Sequence, residues 1–324
     1  MAGEFDLIAR YFAPLAAPEG LGLIDDAALL VPPSGKSLVF TTDANVAGVH
    51  FLADEIPSII ARRLLRTNLS DLAAKGATPL GYLLTLALTS DVNETWVAAF
   101  ADGLALDQAE YDIALYGGDT VSTPGPVMAS ITAIGSVDRM IRRDGASIGD
   151  DLYVTGTIGD AGLGLSIAKG GLSDLPTPYQ EYLLGRFLLP SPRVSFGIGL
   201  ENLGVATAAA DVSDGLVADA GHIAIASGVC LELHLSEIPV SKASAAVHTQ
   251  YPIGLIDAVG YGDDYEIVFS APPSAREAIA CVAEETSTQV TCIGTVKDVA
   301  TVSVEVVDAT GSIIDVTRNG YVHR

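Results

Sequence analysis

The stretch Thr41–Phe51, TTDANVAGVHF, decides how the rest of the chain is read. A β-forming run, SLVF at Ser37–Phe40, delivers two hydroxyls and a carboxylate in succession at Thr41, Thr42 and Asp43. His50 and Phe51 close the stretch. An apolar strand ending in hard oxygen donors suits Mg²⁺, which takes carboxylates together with substrate phosphate oxygens. Taken alone, the same residues are better explained as turn formers at a strand end. Recurrence elsewhere in the chain gives the stretch its weight.

Asp25 and Asp26 in IDDAALLV, Asp71 in NLSDLAAKGA, Asp119 in YGGDT, and Asp211 with Asp214 in DVSDGL all stand, like Asp43, at the end of an apolar segment. Each by itself reads as a cap or a turn. Gathered at one place they could not all stay ionised without cations, because like charges raise one another's pKa. Together they point to a multi-metal site for phosphate chemistry. A helix is expected from Ser58 to about Lys75, with Ile60, Leu64, Asn68 and Asp71 on one face. That face turns polar at its end, either because the helix leaves the core or because it borders a site. Gly117 and Gly118 would let backbone approach a ligand closely.

Familiar nucleotide loops are not present. Gly35-Lys36-Ser37 runs into a strand and reads as a turn. Gly159–Gly164, GDAGLG, has glycines at intervals unlike a dinucleotide fingerprint. It reads equally as a helix start whose N–H groups meet an anion or as a loop tightened onto a packed helix.

Composition narrows the class. With 324 residues and 49% hydrophobic content the chain can fill two cores. No apolar run reaches the ~18 residues of a membrane span. MAGEFDLIAR carries acids where a leader would be basic and then apolar, so a cytoplasmic location is expected. The net charge of −23 argues against nucleic-acid and anionic-membrane binding. It also asks for cations wherever a phosphate ester is to be held. Cys230, Cys281 and Cys292 form neither a metal motif nor a disulfide framework.

In order along the chain, helix is expected at Glu4–Phe12, strand at IDDAALLV and at SLVFTTD, and helix at Asn93–Gln108. A strand at Asp112–Tyr116 is expected to break at GGDT, and a further strand to follow at Val127–Val137. The charged stretch Arg139–Asp150 marks a boundary, after which mixed strands and helices restart. Both halves are α+β rather than a regular βαβ alternation.

The segments GEFDLIARYF, DDAALL, TTDANVAGVHF, NLSDLAAKGA, YGGDT, DVSDGL and GDDYE occur in the order found in thiamine-monophosphate kinases, and the chain resembles that family over nearly its whole length. The family sits in a superfamily with aminoimidazole ribonucleotide synthetase and selenophosphate synthetase. The resemblance implies an α+β fold of two mixed α/β domains of the aminoimidazole ribonucleotide synthetase-like type. Residues 1–138 would bind ATP and metal and form a homodimer, and residues 139–324 would complete the active site. It implies transfer from ATP to thiamine monophosphate, direct and without a phosphoenzyme or a general base. Asp26, Thr41, Thr42, Asp43, Asp71, Asp119, Asp211 and Asp214 would hold several Mg²⁺ ions. Tyr111, Gly118, Asp119, Arg143 and Ser213 would contact ATP, and His50 and Asp263 the thiamine phosphate. An aromatic cover for the thiamine rings is expected near Arg318, and Tyr321 is taken for that role.

The chain departs from the family pattern at Ile24 and Tyr261, where glycine is usual, and at Asp263, where glutamate is usual. These departures bear on the acceptor. A related ATP-dependent synthetase or a non-catalytic nucleotide binder is the alternative. The absence of any cysteine before Cys230 disfavours selenophosphate synthetase.

Overall fold

The computed structural model describes residues 4–299, 301–316 and 320. Arg318 and Tyr321 lie outside the described residues. The chain divides into two compact units, one of Met1–Leu72 with Ala77–Asp138, the other of Ala73–Gly76 with Arg139–Arg324. The short piece Ala73–Gly76 groups with the second unit, which a single cut in the sequence does not anticipate.

In the first unit, helix α1 (Glu4–Leu7) runs on through a wide turn to Phe12. Phe12 is buried and Phe5 is exposed. Strand β1 (Ser37–Val46), helix α2 (Pro57–Ala74), β2 (Thr78–Leu88), helix α3 (Glu94–Tyr111), β3 (Ala114–Ser122) and β4 (Met128–Val137) follow. The sheet has the order β1-β4-β2-β3, with β2 and β3 parallel and the other pairs antiparallel. Asn93 caps α3 by accepting from the Trp96 N–H. The seam between α2 and α3 carries an ion network in which Arg66 grips fully buried Asp107 through Nε and Nη2, at 2.7 and 2.9 Å, and Arg62 adds a bond of 2.8 Å.

Two expectations are corrected here. IDDAALLV is irregular, because it pairs with no strand among the described residues and leaves Ile24, Leu29 and Val31 exposed. GGDT does not break its strand. β3 continues through it, supported by β2, a strand absent from the sequence reading, with Leu83 opposite Gly117 and Leu84 opposite Gly118. Glycine is needed at Gly118 because a Cβ there would lie 1.8 Å from the Leu84 carbonyl oxygen.

The second unit contains β5 (Asp151–Thr155), α4 (Asp160–Ala168), α5 (Thr177–Leu188), α6 (Val194–Leu203), β6 (Ala208–Asp211), α7 (Leu216–Ser227) and β7 (Cys230–His234). It continues with α8 (Lys242–Gln250), α9 (Leu255–Ala258), β8 (Ile267–Ala271), α10 (Arg276–Glu285), β9 (Val290–Lys297), β10 (Val304–Val307) and β11 (Ile313–Ile314). The sheet order is β11-β10-β7-β9-β5-β8-β6, antiparallel except for β10 against β7. Leu152, Val154, Leu231, Val268 and Ile293 from the sheet meet Leu216 and Ile223 of α7 in its main core. No described helix is long and apolar enough to cross a membrane.

Candidate active site

Strand alternation sorts the residues of TTDANVAGVHF. Thr41 and Asp43 face α2, whereas Thr42 lies on the opposite side of the sheet, where its hydroxyl donates to the Ile131 carbonyl at 3.1 Å and accepts from Thr132. The Thr41 hydroxyl donates to Asp71 Oδ2 at 2.5 Å. Burial, and secondly the Asp71 charge, push the Asp43 carboxyl up to about 6, with the Thr67 hydroxyl partly offsetting the shift. Along α2 the face runs from buried Ile60 and Leu64 to buried Asn68 and then partly exposed Asp71, as its spacing requires. The Asn68 Oδ1 is buried and accepts no hydrogen bond among the described residues.

The turn after β1 is closed by His50, whose Nδ1 accepts from the Val46 N–H at 3.1 Å. In the neutral ring that bond places the proton on Nε2. Asp26 is exposed on the irregular segment, its N–H bonded to the Asp25 carboxylate. Tyr111 ends α3 with the Arg66 guanidinium 5.2 Å from its ring centre, a contact of the α2–α3 seam. Asp119 is exposed on β3, opposite Thr85 in the ladder, and so shares a sheet face with Thr42 rather than with Asp43. In the order β1-β4-β2-β3, Asp43 and Asp119 stand at opposite edges, three strand spacings or ~14 Å apart. Within one copy of the first unit, therefore, Thr41, Asp43 and Asp71 come together and Asp119 does not join them.

In the second unit β6 ends at buried Asp211 and gives way to Val212-Ser213-Asp214-Gly215 before α7. The loop of Gly262-Asp263-Asp264-Tyr265-Glu266 lies directly on this turn, with the Asp263 N–H on the Ser213 carbonyl and the Tyr265 N–H on that of Val212, both at 2.8 Å. Asp211, Ser213, Asp214 and Asp263 are thus held in adjoining loops. Arg143 is close enough for its charge to lower the Asp219 carboxyl.

Several contributors escape a reading by motif. Asp214, Asp219 and His222 present possible ligand atoms within 4.8 Å of one another. Asp219 and His222 are three apart on α7, so helical spacing from the DVSDGL turn is the signal that could have found them. Burial first, and then Asp214, raise the Asp219 carboxyl to about 7, against the lowering effect of backbone N–H groups and Arg143. Within GDDYE, Asp264 and Glu266 are fully buried and structural. Glu266 accepts from Thr155, Arg186 and Arg193 at 2.6 to 2.8 Å. Asp264 accepts from the Gly159 and Ala161 N–H groups at 2.6 and 3.1 Å, and a Cβ on Gly164 would fall 2.1 Å from the Leu183 carbonyl oxygen of α5, so both readings of GDAGLG hold. The helix start meets the chain's own Asp264 carboxyl, whose pKa full burial drives well above the usual carboxylate range.

The donor set fits Mg²⁺. The half-buried Thr41 hydroxyl and the Asp43 and Asp71 carboxyls crowd together in an acidic chain, burial and then the Asp71 charge raise the Asp43 carboxyl, and one turn back on α2 Asn68 keeps a buried oxygen without a partner among the described residues. A consequence is testable. Asp43 and Asp219 ionise near 6 and 7 in the folded chain but near ~4 when unfolded. Between those values the folded state binds more protons, so metal-free stability falls as pH rises through the window. Thermal melts in EDTA are expected to show Tm decreasing from about pH 4 to 7 on this account, and added Mg²⁺ should cancel the decline. A Tm in EDTA that rises across the window would contradict it.

Comparison with known proteins agrees with this architecture. Residues 24–137 match the family "AIR synthase related protein, N-terminal domain" and residues 147–307 its C-terminal domain, which defines the class as two-domain AIR synthase related proteins. The thiamine-monophosphate kinase of Caulobacter vibrioides is 45% identical over 298 residues, covering 90% of this chain and 83% of that one. A crystal structure of the same kinase from Stenotrophomonas maltophilia superposes with a TM-score of 0.83 at 39% identity, over 94% of this chain and 96% of that one. The chain belongs to the thiamine-monophosphate kinase family. A further relative, solved as AaThiL complexed with AMPPCP and TMP, matches at a TM-score of 0.76 and 30% identity over 97% and 95% of the two chains.

Proposed function

We propose that the chain transfers the γ-phosphoryl group of ATP to the phosphate of thiamine monophosphate, giving thiamine diphosphate and ADP. The 45% identity to a thiamine-monophosphate kinase across both units carries the reading. The relative solved with AMPPCP and TMP supports the same pair of substrates. A phosphate monoester is largely dianionic at neutral pH, with a second pKa of ~6, and needs no strong base to attack. What the chain must do is align two anions and offset their charge.

Thr41, Asp43 and Asp71 in the first unit and Asp211 and Asp214 in the second would hold Mg²⁺, with Asp26, Thr42 and Asp119 as further donors. When bound, these ions would supply positive charge that offsets the phosphates and the charge built up in transfer. Tyr111, Gly118, Arg143 and Ser213 are assigned to ATP. His50, through the Nε2 proton that its turn fixes, and Asp263 are assigned to the thiamine phosphate. Tyr321 is assigned to cover the thiamine rings. A cytoplasmic location follows from the need for ATP, and the acid excess disfavours nucleic acid and membrane as partners.

A homodimer belongs to the same proposal. Phe40, Leu83 and Val121 are exposed on one face of the four-stranded sheet, and among the described residues neither edge strand pairs with a further strand, β3 carrying only the single bridge of Leu115 to Ala16. A second copy meeting these edges would bring Asp119 of one chain toward the β1 donors of the other. Sedimentation at micromolar concentration is expected to give a dimer that Phe40→Glu converts to monomer; a monomeric wild type contradicts this.

The deciding experiment is ADP release with Mg²⁺-ATP, offering thiamine monophosphate and free thiamine in parallel. Turnover with the monophosphate alone is expected. Turnover with neither would move the assignment to another acceptor, with Tyr261 and Asp263 as the first residues to re-examine.

A further inference from the structure

Asp219 is 1% exposed in the first turn of α7. Its Oδ2 accepts three successive backbone N–H groups, from Ser213 and Asp214 at 3.0 Å and Gly215 at 3.1 Å. Such a nest of N–H groups is a concavity made for an anion, and here one carboxylate oxygen occupies it and fixes the turn. The neighbouring loop depends on that turn. Asp263 and Tyr265 donate to the Ser213 and Val212 carbonyls at 2.8 Å. A Cβ on Gly262 would come within 2.5 Å of the Ser213 carbonyl oxygen, so the two backbones are as close as glycine allows. Asp263 and Tyr265 hold φ of 70° and 51°, a conformation that non-glycine residues keep only where their surroundings impose it.

We propose that Asp219 is a positioning residue that sets both loops at once. It shapes Ser213–Gly215 directly, and through the carbonyls of Val212 and Ser213 it sets the segment carrying Asp263. The inference rests on the assignment of Ser213 to the nucleotide and Asp263 to the acceptor, and it deepens that reading. The two loops behave as one element, so loss of the Asp219 acceptor disturbs handling of both substrates together. The role is that of a hydrogen-bond acceptor rather than of a charge.

The test uses the full-length wild type, Asp219→Ala, Asp219→Asn, and Val296→Ala as a control that loosens the sheet core away from both loops. Amide hydrogen exchange is followed in peptides covering 212–215 and 262–266, alongside kcat and the KM for ATP and for thiamine monophosphate. Asp219→Ala is expected to speed exchange in both peptides and to lower kcat/KM for each substrate ~10²-fold, the scale of a loss of alignment. Asp219→Asn retains a carbonyl acceptor and should restore most of both properties. Val296→Ala should lower Tm and leave both KM values unchanged. Faster exchange confined to 212–215 overturns the coupling. An Asn variant as impaired as the Ala variant overturns the acceptor role and makes Asp219 a charge or metal ligand instead. Exchange does not depend on turnover, so a wild type silent toward thiamine monophosphate would refute the substrate assignment while this inference is still decided by the two peptides.

Discussion

Asp71→Asn is expected to lower kcat ~10²–10³-fold, the range seen when one preorganised electrostatic group is taken from a transition state, while making the metal-free protein more stable. The two effects have one origin. Asp71 accepts the Thr41 hydroxyl and stands beside Asp43, whose carboxyl its charge helps to push up to about 6. Asparagine keeps the size and an oxygen for Thr41, so the packing of α2 on β1 survives and the charge alone is lost. Without that charge Asp43 ionises more easily and repulsion in the empty site is relieved. Tm in EDTA should therefore rise, and Mg²⁺ should add less stability than it does for the wild type. Near-normal ADP release by this variant would remove Asp71 from the site.

Glu266→Ala is expected to have the largest effect on stability. Glu266 is fully buried and satisfies two guanidinium groups, Arg186 at 2.8 Å and Arg193 at 2.6 Å from two nitrogens, together with the Thr155 hydroxyl. Arg186 and Arg193 have side chains only 11% and 24% exposed. Removing one partner of such a cluster costs ~3–5 kcal/mol, because the remaining charges stay buried and unpaired. For a unit of this size that corresponds to a fall in Tm of roughly 10 °C. The loss should appear in the unfolding transition of the second unit and leave that of the first in place. A shift of a degree or two would show that Arg186 and Arg193 find other partners.

What the sequence disclosed follows from what each signal measures. Periodicity located α2 closely, since burial repeats at helical spacing along Ile60, Leu64 and Asn68. It missed β2, whose run Pro79–Leu88 carries apolar side chains on both faces, Leu83 remaining exposed on one of them, so the alternation by which strands are recognised is absent. IDDAALLV failed in the opposite sense. Its composition favours a strand, but pairing is a tertiary property and the described residues provide no neighbour. At the site, motifs picked out the carboxylates but misplaced two of them: Asp43 and Asp119 lie within β1 and β3 rather than at strand ends, and the motifs could not say which face each takes. Thr41 and Thr42 are adjacent in sequence and point to opposite sides of a sheet. The buried supports Asp264 and Glu266 bind backbone and arginines far away in sequence, which no local pattern marks, whereas Asp219 binds the turn four to six residues before it and only its helical spacing could have signalled it.

The carboxyl of Asp264 on the Gly159 helix start has a meaning for selectivity. A helix beginning with open N–H groups attracts phosphate, and in a nucleotide-using enzyme it would be a decoy that draws substrate away from productive binding. Here the decoy carries a permanently tethered competitor, bonded to the Gly159 and Ala161 amides. An intramolecular ligand acts at an effective concentration of order millimolar or above, with no dissociation step that releases it from the chain. While the Asp264 carboxyl sits on these amides, free phosphate and ATP cannot use this helix start.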